Sequence, residues 1–130
     1  MNLRFYHCDI CGKTIAVLSD TEIPTDCCGQ TMHELAANRT DAAAEKHVPV
    51  FSTMGNTVLV RVGSAPHPMM DNHSITWIAL STVHGFQFRE LHPGNRPEVS
   101  FFLHPKDRAV AAYAFCNLHG LWCSEKEHDA

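Results

Sequence analysis

Four cysteines crowd the first 28 residues, and they constrain this chain more than any other feature. Cys8 and Cys11 form C-x-x-C, and Cys27 and Cys28 stand side by side after fifteen intervening residues. The segment around them, about 35 residues, is too short to stabilise itself by apolar burial and needs a metal, disulfides or a partner. A C-x-x-C turn brings two thiolates to one ion, and Gly12 follows directly. Four thiolates suit a tetrahedral site for zinc or iron alike. Neighbouring side chains normally diverge, so Cys27 and Cys28 share an ion only if the backbone folds back, which Gly29 can assist. A disulfide between the two would require a strained ring.

The remaining sequence reads as strands. "LRFYH" (3–7) and "TIAVLS" (14–19) are β-rich. "NRTDAAAEKH" (38–47) is polar and alanine-rich, with Thr40 or Asp41 as possible caps of a single helical turn. From Val48 onward β-patterns follow one another. In "NTVLVRVGS" (56–64), Val58, Val60 and Val62 share one face. "SITWIALST" (74–82), "HGFQFREL" (84–91), "EVSFFL" (98–103) and "AVAAYAFC" (109–116) continue the series, separated by proline- and glycine-bearing turns. Strand after strand with no long helix implies an all-β chain: a small metal-binding domain over 1–37, then a sandwich of about seven strands over 38–130, with 38–46 connecting them. The tail "SEKEHDA" (124–130) is polar and expected to fray.

Composition narrows the partners. A net charge of −4, counting histidine neutral, does not suit nucleic acid. No apolar run approaches the ~20 residues of a membrane span, and "MNLRFYHCDICGK" lacks the apolar core of a signal peptide. The chain is therefore expected to be cytoplasmic. In that compartment six cysteines stay reduced, and clustered thiols bind metal more readily than each other.

Ten histidines are many for 130 residues. His47 lies in "EKHVPV", His67 between Pro66 and Pro68, and His73 at the head of a strand, while Cys116 and His119 form "CNLHG". Singly, each histidine reads as a surface or turn residue. C-x-x-H fits half of a zinc site, or simple packing of a small thiol and a hydrogen-bonded imidazole. Together they make a metal site whose ligand list stays open. Trp77 and Trp122 read as core packing, and Cys123 as a small core residue. His7, His33, His84, His92, His104 and His128 read as surface or turn residues.

In its C-x-x-C and C-C pairs, "DAAAEKHVPV", "HPM", "HSITWI", "HPGNRPEVSF" and "YAFCNLHGLW", the chain resembles the superoxide reductases of the two-iron, desulfoferrodoxin type. The resemblance spans nearly the whole length. It implies a desulforedoxin-like domain holding iron on Cys8, Cys11, Cys27 and Cys28, and an immunoglobulin-like β-sandwich behind it. It further implies a second, square-pyramidal iron with His47, His67, His73 and His119 equatorial and Cys116 axial. The implied activity is one-electron reduction of superoxide to hydrogen peroxide in defence against oxidative stress. The implied donor is a small redox protein such as rubredoxin, and the implied assembly a homodimer. Lys46 would steer the anion and assist protonation, and Glu45 would take the sixth position of ferric iron. Without the resemblance, both read as a solvated charge pair at a helix end. Asn117 and Gly120 are expected to support the Cys116 loop through backbone conformation or hydrogen bonds to sulfur. An electron carrier would gain nothing from an open coordination position, and a zinc-stapled binding module would be colourless.

Overall fold

The structure is a computed structural model and describes residues 3–40 and 42–125. The chain divides between Ala36 and Ala37 into two compact units. The first is built from β1 (Arg4–His7), β2 (Thr14–Val17), β3 (Asp26–Cys27), β4 (Gln30–Thr31) and β5 (His33–Glu34). β1 is central, antiparallel to β2 on one side and β5 on the other, while β3 and β4 form a separate hairpin. Its buried apolar side chains are Leu3, Phe5, Cys8 and Met32. At ~1.5–3 kcal/mol for each large side chain, that core is small against the entropy of ordering some 35 residues. The unit thus depends on a cross-link at its cysteines.

The second unit opens with one helical turn, α1 (Ala44–His47), and continues with β6 (Pro49–Met54), β7 (Thr57–Val62), β8 (Ile75–Thr82), β9 (Phe86–Glu90), β10 (Glu98–Phe102), β11 (Ala109–Cys116) and β12 (Gly120–Ser124). One sheet runs β10-β7-β6 and the other β12-β11-β8-β9, all antiparallel. The first, second and fifth strands pair in one layer, the remaining four in the other. This is the order of an immunoglobulin-like sandwich, as the strand series implied. The valine face of β7 is fully buried, and Val58, Val60 and Val62 meet Phe51, Val99 and Phe101 and, from the facing sheet, Ile78, Leu80, Ala112 and Ala114. Cys116 belongs to the same core cluster with no exposed surface.

Two local expectations need correction. The helical turn starts at Ala44 with Ala43 as its N-cap and no side-chain cap, so Thr40 does not cap it. Asp41, His128 and most of the tail lie outside the described residues. The strand expected from His84 begins at Phe86, because the 83–85 segment turns: Thr82 N–H and hydroxyl both donate to the Gly85 carbonyl.

Candidate metal centres

In the first unit, Gly12 N–H donates to the Cys8 carbonyl (2.9 Å) and Cys8 N–H to the Lys13 carbonyl (2.9 Å), closing the C-x-x-C turn. Gly12 adopts φ 81°, a conformation that disfavours any side chain. The adjacent pair is resolved by two left-handed residues in a row. Cys28 itself takes φ 53° and Gly29 φ 75°, forming the two-residue loop between β3 and β4. Positive φ at both loop positions is the hairpin geometry that asks for glycine second. Cys28 accepts the strain at the first position and turns its thiol back beside Cys27.

The four Sγ atoms all lie within 4.8 Å of one another, with Cys11–Cys27 at 3.6 Å and Cys27–Cys28 at 3.9 Å. A tetrahedron with metal–sulfur bonds of about 2.3 Å has edges of about 3.8 Å, so the spacing fits one ion. Backbone N–H groups of Cys11 and Ile10 pull the Cys8 thiol down to about 6. Hydrogen bonds with Cys11 and Cys8 push Cys27 up to about 12, and Cys28 is also raised, chiefly by Cys11. Thiols this close cannot all ionise unless a cation sits between them.

The second cluster gathers at one end of the sandwich. His47 ends α1 just before β6, His67 and His73 lie between β7 and β8, and Cys116 and His119 flank the β11–β12 turn. Ligand atoms of His47, His67, His73 and Cys116 lie within 4.8 Å of one another. His119 joins them through Nδ1, 3.1 Å from His47 Nε2 and 3.8 Å from Cys116 Sγ. Two imidazole nitrogens bound at right angles to one ion, at about 2.1 Å each, would stand about 3.0 Å apart.

The hydrogen bonds decide which nitrogens are free. His47 Nδ1–H donates to the Ala43 carbonyl and His67 Nδ1–H to the Pro68 carbonyl, each at 2.7 Å. Their Nε2 lone pairs are thereby aimed inward, the arrangement in which a backbone acceptor sets the tautomer of a metal ligand. His67 Nε2 and His73 Nε2 are buried and lack a partner among the described residues. Such orphans are costly unless an ion completes them. Burial holds His67 down to about 4, reinforced by the neighbouring imidazoles, and lowers His73 by the same cause. Both rings are therefore neutral and ready to donate at ordinary pH.

The loops around the cluster are pinned. His73 faces Met70 in a small antiparallel bridge. Asn117 does not bond to sulfur: its Oδ1 accepts from Ser74 N–H (2.9 Å) and its Nδ2 donates to the Asn72 carbonyl (3.1 Å). It ties the Cys116 turn to the segment carrying His73. Gly120 closes that turn with φ 79°. Trp122 does more than fill core space. Its indole packs against His47 at 4.8 Å and its Nε1–H donates to the His119 carbonyl at 3.2 Å. Reading the sequence alone missed this, although the place of Trp122 three residues after His119 was a usable signal. Trp77 instead stacks on Phe115 (5.6 Å). Cys123 lies on β12, outside both clusters. Glu45 and Lys46 are exposed, directly before His47.

A nearly all-β chain with a four-thiol cluster on one unit and an imidazole–thiol cluster at the end of a sandwich belongs to the class of proteins built to hold metal. The desulfoferrodoxin family model matches residues 39–125. The desulfoferrodoxin of Syntrophotalea carbinolica is 44% identical over 124 residues, covering 95% of this chain and 96% of that protein. A superoxide reductase of Pyrococcus horikoshii is 36% identical, covering 65% of this chain and 89% of that protein. The crystal structure of the superoxide reductase from Treponema pallidum superposes with a TM-score of 0.81 at 35% identity, covering 95% of this chain and 99% of that one. The chain belongs to the desulfoferrodoxin family.

Proposed function

We propose that the chain is a superoxide reductase, with iron on Cys8, Cys11, Cys27 and Cys28 in one domain (1–37) and on His47, His67, His73, His119 and Cys116 in the other (38–130). The observation that carries this reading is the pair of buried nitrogens, His67 Nε2 and His73 Nε2, which have no partner among the described residues and converge with the fully buried thiol of Cys116. Four neutral imidazoles and one thiolate leave a divalent ion with a formal charge of +1, which attracts an anionic substrate. Bound ferrous iron would supply the single electron, and the Cys116 thiolate would favour its donation. The reaction joins one electron and two protons to superoxide and releases hydrogen peroxide.

The chain's own residues supply the rest. Cys116, on the last position of β11 and with no exposed surface of its own, would supply the thiolate. Lys46 presents an ammonium beside His47, concentrating the anion near the site and passing on a proton from solvent. Glu45 offers a carboxylate as a sixth donor to the oxidised metal. The electrons come from a small redox protein such as rubredoxin, and the working form is a cytoplasmic homodimer. Among the described residues no helix is long and apolar enough to cross a membrane.

The test is metal content with an optical spectrum, taken on reduced protein and during stepwise oxidation, followed by a superoxide assay. Two irons per chain, a visible band lost in Cys116→Ala, and stoichiometric peroxide are expected. Zinc alone, and a featureless spectrum after iron reconstitution, would remove the enzyme reading.

A further inference from the structure

α1 carries Glu45, Lys46 and His47, and its own bonds are few: Lys46 N–H (3.2 Å) and His47 Nδ1–H (2.7 Å) to the Ala43 carbonyl, and Val48 N–H to the Ala44 carbonyl (2.9 Å). It is four residues long and has no side-chain cap. A helix of one turn does not persist unaided, because nucleation costs more than a few hydrogen bonds return. Its position must come from what grips it.

Besides Trp122, which packs on the His47 ring, the grip is the loop after β7. Ala65 N–H donates to the Glu45 carbonyl at 2.8 Å, and Ser64 Oγ donates to the same oxygen at 3.2 Å. The loop is itself fastened: Gly63 N–H donates to the Ala65 carbonyl (3.1 Å), and His67 N–H to the Val62 carbonyl (2.8 Å). Between loop and helix there is no room. A Cβ on Gly63 would stand 2.7 Å from the Glu45 oxygen and 2.8 Å from the Val48 oxygen. Both are backbone atoms, so neither can swing aside. Any side chain there would have to move the helical turn away from the loop.

We propose that Gly63 is a positioning residue, whose missing side chain lets the 63–65 loop clasp the Glu45 carbonyl and so fixes where Glu45 and Lys46 stand relative to the ligands His47 and His67. The same loop leads to His67, so the clasp also sets the spacing of two ligand-bearing segments. The functional consequence rests on the superoxide reductase reading. The clasp itself does not.

Two measurements separate these. The first is amide hydrogen exchange, which needs no activity. In Gly63→Ala, protection of the Ala65 amide is expected to fall sharply while that of the Ile78 and Leu80 amides, in the middle of β8, is kept. Unchanged Ala65 protection would overturn the clasp. The second is the second-order rate with superoxide in iron-loaded protein retaining its Cys116-dependent band. Gly63→Ala is expected to lower this rate by about ten- to a hundredfold, the cost of a misplacement near 1 Å. In a Lys46→Ala background the same change should cost much less, since the two act through one group. An equal loss in both backgrounds would overturn the positioning role. Should Gly63→Ala fail to fold, Ser64→Ala removes one clasping bond without any steric demand. It is expected to loosen the Ala65 amide and lower the rate two- to threefold (about the size for one modest hydrogen bond), and no change in either would refute the proposal. A parent protein that does not react with superoxide would defeat the functional reading and leave the exchange result to judge the clasp.

Discussion

Replacing Asn117 by alanine should weaken the imidazole–thiol centre without touching a ligand. The change removes the acceptor of Ser74 N–H (2.9 Å) and the donor to the Asn72 carbonyl (3.1 Å). Ser74 is 5% exposed, so its amide would be left without solvent or partner. An orphaned buried donor costs about 1–3 kcal/mol, and the second, more exposed bond adds about 0.5–1 kcal/mol. The expected total is about 1.5–4 kcal/mol, divided between stability of the metal-free protein and affinity for the metal. If most of it falls on affinity, 2 kcal/mol is about a thirtyfold loss, within the range for residues that orient metal ligands. The assay pairs a chelator competition for Fe(II), read at the Cys116-dependent band, with urea unfolding of the metal-free chain. Asn117→Asp keeps the acceptor and loses the donor, so it should show less than half of the loss seen in Asn117→Ala. Affinity within twofold of the parent, with an unchanged unfolding midpoint, would refute the reasoning.

Lys46→Ala should slow the reaction with superoxide by about tenfold or more at low salt and flatten its ionic-strength dependence, with iron still bound. Stopped-flow rates at several salt concentrations check this, and a parent-like salt slope would remove Lys46 from the mechanism. Cys11→Ser should abolish or alter the four-thiol site and leave superoxide reduction largely intact, read by metal analysis and a peroxide assay on one preparation. The metal-free protein should lose stability as the pH falls from about 6.5 to about 4. His67 is held down to about 4 and His73 is lowered when folded, against about 6.5 unfolded. In that window the unfolded chain binds more protons, so stability rises with pH. Urea midpoints at pH 7 and pH 5 test it, and equal midpoints would show that burial does not govern these rings.

Much of this molecule is legible one residue at a time. The valine alternation of 56–64 identifies the buried face of β7, because a strand's period of two leaves no other choice. The C-x-x-C spacing and the small size of the opening segment together demand a cross-link. Cys116 and His119 invite a shared ion because a short turn keeps them within reach. These are local facts, and sequence carries them directly.

Other features depend on residues far apart in the chain. The convergence of His47, His67, His73 and His119 on Cys116 arises only when the ends of β6, β7, β8, β11 and β12 meet at one end of a sandwich. Which imidazole nitrogen faces inward depends on the carbonyls of Ala43 and Pro68, reached through backbone paths no periodicity encodes. The left-handed Cys28 could not be read from its type, since only the β3–β4 pairing demands that conformation. Asn117, Trp122 and Gly63 look like a turn residue, a core aromatic and a loop glycine until their partners at 72–74, 47 and 45–48 come into place. Short-range chemistry nominated the candidate ligands, and long-range packing determined which of them share a site, which atoms they offer, and what holds them there.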